Sequence, residues 1–330
     1  IMNKNIKILI GLTVIFILTF AFIFKVSNFG IISKNKKVIS NSNKNTNESE
    51  KNYKSDEKSK KKIKENKIKE DKTIKKDEIS KEIEKIIDEE CGNLEGDWQV
   101  AVDSLIGNSK VSIFKNSNSQ IESIPSASTI KIFIGLEAYK QVEDGTLDEK
   151  NVENDIYLML KDSNNESANR LIDLIGNYDM EVSSQKINDT IKKITGENKT
   201  GLYRKMLHEG RENMASARDL NMALRDIYFG KFVNKDHSNK MMEAMGENNT
   251  TSKFKLLGNL PKDAKGISKS GELPNLGVEN DIALISIDDE VFAISFLSKY
   301  PYPVSHGQGP QFTSMQNLGK RITESFMNHK

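Results

Sequence analysis

Residues Ser128–Tyr139 read STIKIFIGLEAY, a run with almost no polar face. Ile130, Ile132, Phe133, Ile134, Leu136, Ala138 and Tyr139 cover nearly the whole circumference of a helix, and a helix apolar on all sides belongs inside a domain. The rest of the fold therefore has to wrap around it. Lys131 is the cation in that run. Either its stem covers apolar neighbours while the ammonium reaches water, or it is held inside, where burial disfavours its charge and a neutral amine can take a proton. In a helix that starts near Ser128, a hydroxyl and an amine three residues apart lie on one face. Serine three residues before lysine is common in chains of this length, so the spacing alone leaves both readings open.

Charge divides the chain. Residues 31–79 hold 16 Lys against 9 Asp and Glu, and residues 1–30 add three Lys, so with a whole-chain charge of +2 the remainder carries −8. An acidic body on a basic tether speaks against a nucleic-acid groove in the folded part. The single cysteine, Cys91, excludes an internal disulfide. The four histidines (His208, His237, His306 and His329) have no ligand spacing, so neither a metal nor another cofactor is expected.

Residues 8–24 are 17 uncharged, strongly apolar residues between Lys7 and Lys25. They are at the short end of a membrane span. No small-x-small cleavage site and no lipid-accepting cysteine follows, which favours an uncleaved signal anchor. Lys25, Lys34, Lys36 and Lys37 after the span point against export of the body by the positive-inside rule. An extracytoplasmic body is expected from function instead. Residues 31–79, rich in Lys, Asn, Ser and Glu, read as a flexible linker of roughly 40 Å root-mean-square span.

Folded structure is expected from about Ser80, where Ile79, Ile83, Ile86 and Ile87 repeat at helical spacing up to Cys91-Gly92. Strands are expected at 98–105 and 110–114, joined by Gly107-Asn108, followed by a polar loop over 115–127. Helical patterns cover 152–161, 166–175, 180–194, 216–228 and 238–246. Strands at 265–270, 281–287 and 291–297 follow, the last pair turned by Asp288-Asp289-Glu290, and a closing helix covers 312–327. Strands at both chain ends with helices between them describe an α+β fold with one antiparallel sheet.

Two further motifs fall within this frame. Ser163-Asn164-Asn165 lies between helical patterns, where Ser and Asn also serve as caps. Lys269-Ser270-Gly271 lies on the first late strand, where a lysine also suits a solvated edge. In the order Ser128-x-x-Lys131, Ser163-x-Asn165, Lys269-Ser270-Gly271, and with the surrounding SASTIKIFIG (126–135), MLKDSNNESANRLID (159–173), ASARDLNMALRDI (215–227) and KSGELPNLGVENDIALI (269–285), the sequence resembles the penicillin-recognising serine hydrolases. It is most similar to the class A β-lactamases. The resemblance covers about 80–330. It implies a β-lactamase/transpeptidase-like α/β sandwich, with five antiparallel strands, terminal helices on one face and an inserted helical region.

The resemblance also implies roles. Ser128 would attack an amide carbonyl, with Lys131 as proton acceptor or relay, and Ser163 would pass the proton to the leaving nitrogen. Asn165 would orient Lys131 and the substrate side chain. Lys269 would supply positive potential and Ser270 would bond the substrate carboxylate. The backbone N–H groups of Ser128 and Glu272 would form the oxyanion hole. Expected partners are a β-lactam or a peptidoglycan-type acyl-D-Ala substrate and, through the N-terminal segment, the cell membrane, with a monomeric catalytic domain.

Three departures stand out. Arg204 occupies the place of the family's deacylating glutamate, with His208 where an asparagine would follow; Glu209 and Glu212 are the substitutes at hand. Only 35 positions separate Ser128 from Ser163, which shortens the helical region. No arginine stands close after Lys269 to hold a carboxylate, and Glu272 and Glu279 add negative charge there. Acylation looks intact and turnover does not. The expected function is β-lactam acylation and hydrolysis at Ser128; a penicillin-binding D,D-peptidase role and a non-catalytic envelope protein are the alternatives.

Overall fold

The computed structural model describes residues 78–329 apart from 197–198, 249–250 and 306, all within the compact unit Ser59–Lys330. The apolar stretch 8–24, the tether up to 77 and His306 lie outside the described residues. Among those described, no helix is long and apolar enough to cross a membrane.

The isoleucine repeat forms the first helix, α1 (78–91), with Ile79, Ile83, Ile86, Ile87 and Cys91 all buried. Strands β1 (Asp97–Ile106) and β2 (Ser112–Asn116) then pair antiparallel. After the helical region come β5 (Lys265–Leu273), β6 (Val278–Ile287) and β7 (Glu290–Lys299). The five form one antiparallel sheet in the order β2-β1-β7-β6-β5. Strands from opposite ends of the chain thus meet at β1 and β7, with Val100 opposite Phe296.

Alternation along the strands separates two cores. Ala283 and Ile285 of β6 and Phe292, Ile294 and Phe296 of β7 pack with α1 and the last helix, α8 (Pro310–Asn328). Ile282, Leu284, Ala293 and Leu297 face the inserted helices. These are α2 (Lys131–Glu143), α3 (Glu149–Lys161), α4 (Asn165–Ile175), α5 (Met180–Thr195), α6 (Ala217–Phe229) and α7 (Lys235–Gly246). Helix α2 is buried on almost every side from Lys131 to Tyr139, as its composition requires.

The structure differs from the sequence reading at several edges. Ser128 lies in a 3-10 turn, Ala127–Ile130, which precedes α2 instead of opening it. The "loop" 115–127 contains a short strand β3 (Ile124–Pro125), paired with β4 (Met214–Ala215), and two-residue strands leave no periodic signal. Glu290 is the first residue of β7, paired with Ile287, so the turn is Asp288-Asp289 alone. Strand β6 begins at Val278, because Glu279, Asn280 and Asp281 are buried in the ladder despite their polarity.

Candidate active site

The Ser128 turn is fixed before its chemistry begins. Thr129 donates through both its N–H (3.1 Å) and its hydroxyl (2.7 Å) to the Ser126 carbonyl. The buried Asn280 donates its amide to the carbonyls of Pro125 (2.9 Å) and Ser126 (3.1 Å) and accepts from Ser298 N–H (2.9 Å). One side chain thereby ties the turn to β6 and β7. Ala127 is held at φ 48 and Ser163 at φ 54, left-handed conformations that cost a residue with a side chain free energy and collect at functional sites. From the other side, β5 approaches so closely that a Cβ on Gly271 would lie 2.8 Å from Ser128 N, 2.9 Å from Thr129 N and 2.9 Å from Ser126 O. That approach seats the Ser128 N–H against β5 at Gly271, the residue before Glu272.

Lys131 is fully buried and does not reach water. Its Nζ lies 2.7 Å from the Ser163 carbonyl, 2.8 Å from Asn165 Oδ1 and 3.3 Å from Ser163 Oγ. Lys269, equally buried although β5 is an edge strand, donates to Ser163 Oγ at 2.9 Å and to the Ser270 carbonyl at 2.7 Å. The two amines meet on one hydroxyl. Asn164 caps α4 by accepting from Ser167 N–H (2.8 Å), which leaves Asn165 in the first turn of α4 beside Lys131. Capping thus falls to Asn164, while its neighbour Asn165 contacts Lys131.

Burial, and secondarily the charge of Lys269, brings the Lys131 ammonium down to about 6. Burial also brings Lys269 down to about 7, against an opposing pull from Asp281. With a shared contact, the two titrate as a pair. A reaction that needs Lys131 neutral and Lys269 charged rises with pH through about 6 and falls above about 7. We expect a bell-shaped acylation rate with its maximum between those values and a loss of about tenfold per pH unit on the acid side. Stopped-flow acylation from pH 4.5 to 9 measures it, and a flat profile would exclude the pair from the chemistry.

The segment 201–214 closes on itself. Gly201 and Met214 exchange backbone hydrogen bonds (2.9 and 3.0 Å), and Asn213 accepts from Tyr203 and Arg204 N–H while its carbonyl accepts from Ser126 N–H (2.8 Å). Asn169 of α4 pins the middle by bonding Met206 through both its amide and its carbonyl oxygen. Arg204 donates to both oxygens of Glu212 (2.7 and 2.6 Å), and Glu209 is exposed. Neither glutamate forms a hydrogen bond or ion pair with Ser128, Lys131, Ser163 or Lys269. The role expected of Glu209 or Glu212 as a general base gains nothing from this arrangement, because the Arg204 guanidinium holds the carboxylate of the one and water surrounds the other.

Among the described residues, one group has metal-capable spacing: Glu149, Asp236 and His237. The Lys240 ammonium lies 2.6 Å from Glu149, 2.7 Å from Glu153 and 3.7 Å from Asp236, so a cation already serves that group. Sequence reasoning missed Asn280, Asn213, Asn169 and a third buried lysine, Lys255. Only Lys255 left a signal, a cation inside the apolar run FKLL (254–257) like the one in STIKIFIG.

Residues 151–326 match the model of a family described as the beta-lactamase enzyme family. Among solved structures, the chain is similar to PBP-A, with 17% identity, TM-score 0.62, and coverage of 76% of this chain and 97% of that one. A class A beta-lactamase from Bacteroides cellulosilyticus DSM 14838 gives 16% identity, TM-score 0.62, and coverage of 76% and 99%. A beta-lactamase from Sphaerobacter thermophilus DSM 20745 gives 17%, 0.59, and 74% and 97%. A variant of PBP-A, similar at TM-score 0.60 and 17% identity over 78% and 97%, is an acyl-enzyme complex with penicillin G. No curated protein matches the chain. With more than half its length matched and the sheet, inserted helices and terminal helices in the same arrangement, the chain belongs to the beta-lactamase enzyme family.

Proposed function

We propose that the protein is an acyl-transfer serine hydrolase in which Ser128 is acylated by β-lactams or a related acyl-D-alanyl substrate, and that the body is membrane-tethered and extracytoplasmic. The observation that carries this reading is the buried Lys131–Ser163–Lys269 group. A neutral Lys131 has two N–H bonds, and the Ser163 carbonyl and Asn165 Oδ1 are placed to accept both. The nitrogen lone pair is then left to take a proton from the Ser128 hydroxyl. As Ser128 Oγ bonds the carbonyl carbon, the carbonyl oxygen gains charge beside the N–H groups of Ser128 and Glu272. The C–N bond breaks, and the leaving nitrogen takes its proton through Ser163, which both amines contact. Lys269 supplies positive potential to that hydroxyl.

Labelling the full chain with a fluorescent penicillin, followed by intact mass, tests the proposal. One adduct on the wild type and none on Ser128→Ala is expected. No adduct, or an equal adduct on both, sinks the reading and leaves a fold retained without chemistry.

The Arg204–Glu212 pair favours a slow second half-reaction, as in a penicillin-binding D,D-peptidase. With both oxygens of Glu212 held and Glu209 in water, neither is positioned to activate a hydrolytic water. Glu209→Gln and Glu212→Gln are each expected to leave the adduct lifetime within about twofold of wild type. Adduct decay by mass spectrometry measures this, and a lifetime lengthened tenfold or more in either variant would assign that residue as the base.

A further inference from the structure

Strands β5 and β6 carry a second polar cluster that acylation does not use. Lys255 is fully buried, with its Nζ 2.7 Å from Glu272 Oε1, 2.8 Å from Glu279 Oε2 and 3.3 Å from the Asn280 carbonyl. The register sets Glu272 opposite Glu279 and Ser270 opposite Asp281. Residues two apart on a strand share a face, and so do direct cross-strand partners. The Ser270 side chain is therefore on one face with three carboxylates, those of Glu272, Glu279 and Asp281. Lys269 projects from the opposite face to Ser163. Even with both lysines charged, Lys255 and Lys269 are outnumbered by these three carboxylates, giving a formal −1. The Glu272 side chain, 14% exposed, is the member of the Lys255 trio that reaches the surface; the side chains of Lys255 and Glu279 are both at 0%.

We infer that the Ser270 end of the site takes a neutral or cationic substituent, such as an ester, an amide or an ammonium, in place of a carboxylate, and that Glu272 determines this preference. An anion arriving there meets like charge and finds the Lys255 ammonium already held by two carboxylates. Both the encounter and the bound state are then disfavoured, because like charges brought together in a partly desolvated site cost affinity. Glu272 acts through its side chain and leaves its backbone N–H in place. The inference rests on the proposed acylation of Ser128, since it concerns what the acyl donor carries at its other end.

Benzylpenicillin and its methyl ester, which differ at the carboxylate alone, form the test pair. Acylation of Ser128 in the full chain is followed by intact mass, and each rate is divided by that probe's own hydroxide-catalysed ring-opening rate. The ester is expected to react at least about tenfold faster than the acid. In Glu272→Gln, checked for folding by circular dichroism, the ester-to-acid rate ratio should fall toward one, because the substitution removes the carboxylate charge that separates the two probes. An acid as fast as the ester in the wild type overturns the inference and leaves the acyl-transfer reading standing. A ratio unmoved in folded Glu272→Gln overturns the assignment to Glu272. If neither probe modifies Ser128, the acyl-transfer reading itself fails and the inference falls with it.

Discussion

Replacing Lys131 with methionine is expected to cut Ser128 acylation by about 10²–10⁴-fold, the usual contribution of a positioned proton acceptor, while the domain stays folded. The two effects have one cause. Holding this amine at about 6 means that folding strips its proton at neutral pH, which works against the native state. Because the folded value is lowered, the penalty is largest below about pH 6, shrinks by about 1.4 kcal/mol per pH unit above it, and vanishes near the ordinary lysine value. Methionine removes the penalty and keeps most of the volume, but leaves the Ser163 carbonyl and Asn165 Oδ1 without their donor, at about 1–3 kcal/mol for each group left unsatisfied. The melting temperature at pH 7 is therefore expected within a few degrees of wild type. The variant's stability relative to wild type should be greatest in acid and decline toward pH 10. Penicillin labelling and thermal melts at pH 5, 7 and 9 measure both halves. Wild-type labelling by Lys131→Met would show that the lysine takes no part in the reaction.

Gly271→Ala is expected to have the second-largest effect, about 10²-fold on acylation, through displacement and not through lost chemistry. Three backbone atoms of the Ser128 turn lie within 2.9 Å of where the new methyl would sit, and none can swing away as a side-chain tip would. Either β5 or the turn must move by several tenths of an ångström, which separates the N–H groups of Ser128 and Glu272 proposed to bind the carbonyl oxygen and carries Lys269 from Ser163. Overpacking of this kind also costs about 1–3 kcal/mol of stability. Acylation kinetics beside a urea melt distinguish the two losses. A variant that melts lower yet acylates at the wild-type rate would show that the Ser128–Gly271 spacing is not what sets the reaction.

The main frame was readable because it rests on periodicity. β-prone runs bounded by turn signals gave the strands, the 3.6-residue pattern gave seven of the helices to within three residues at each end, and the unbroken apolar face of STIKIFIGLEAY located the innermost helix. The companions of Lys131 were legible only through resemblance, since Ser163 and Lys269 also suit a loop and an exposed edge. What stayed hidden has a common physics. Asn280, Asn213 and Asn169 act through backbone groups brought near by tertiary folding, and a polar side chain satisfied inside looks the same in sequence as one solvated outside. Glu279 fell outside the strand expected from Asp281 onward because its cation, Lys255, lies 24 positions earlier. Glu209 and Glu212 were plausible bases by position along the chain, and only the geometry paired Glu212 with Arg204.

The pairing of β1 with β7 also governs how the domain is made. Val100 and Phe296 sit side by side although nearly two hundred residues separate them. The central ladder cannot close until the chain is almost complete, and contacts of such sequence separation are slow to form. Until then β1 has β2 beside it and an open edge where β7 will lie, the kind of exposed template that recruits strands from other molecules. A chain truncated before Glu290 would keep its serine, its three site lysines and all of its inserted helices, yet should accumulate as aggregate, its chemistry intact in sequence and never assembled.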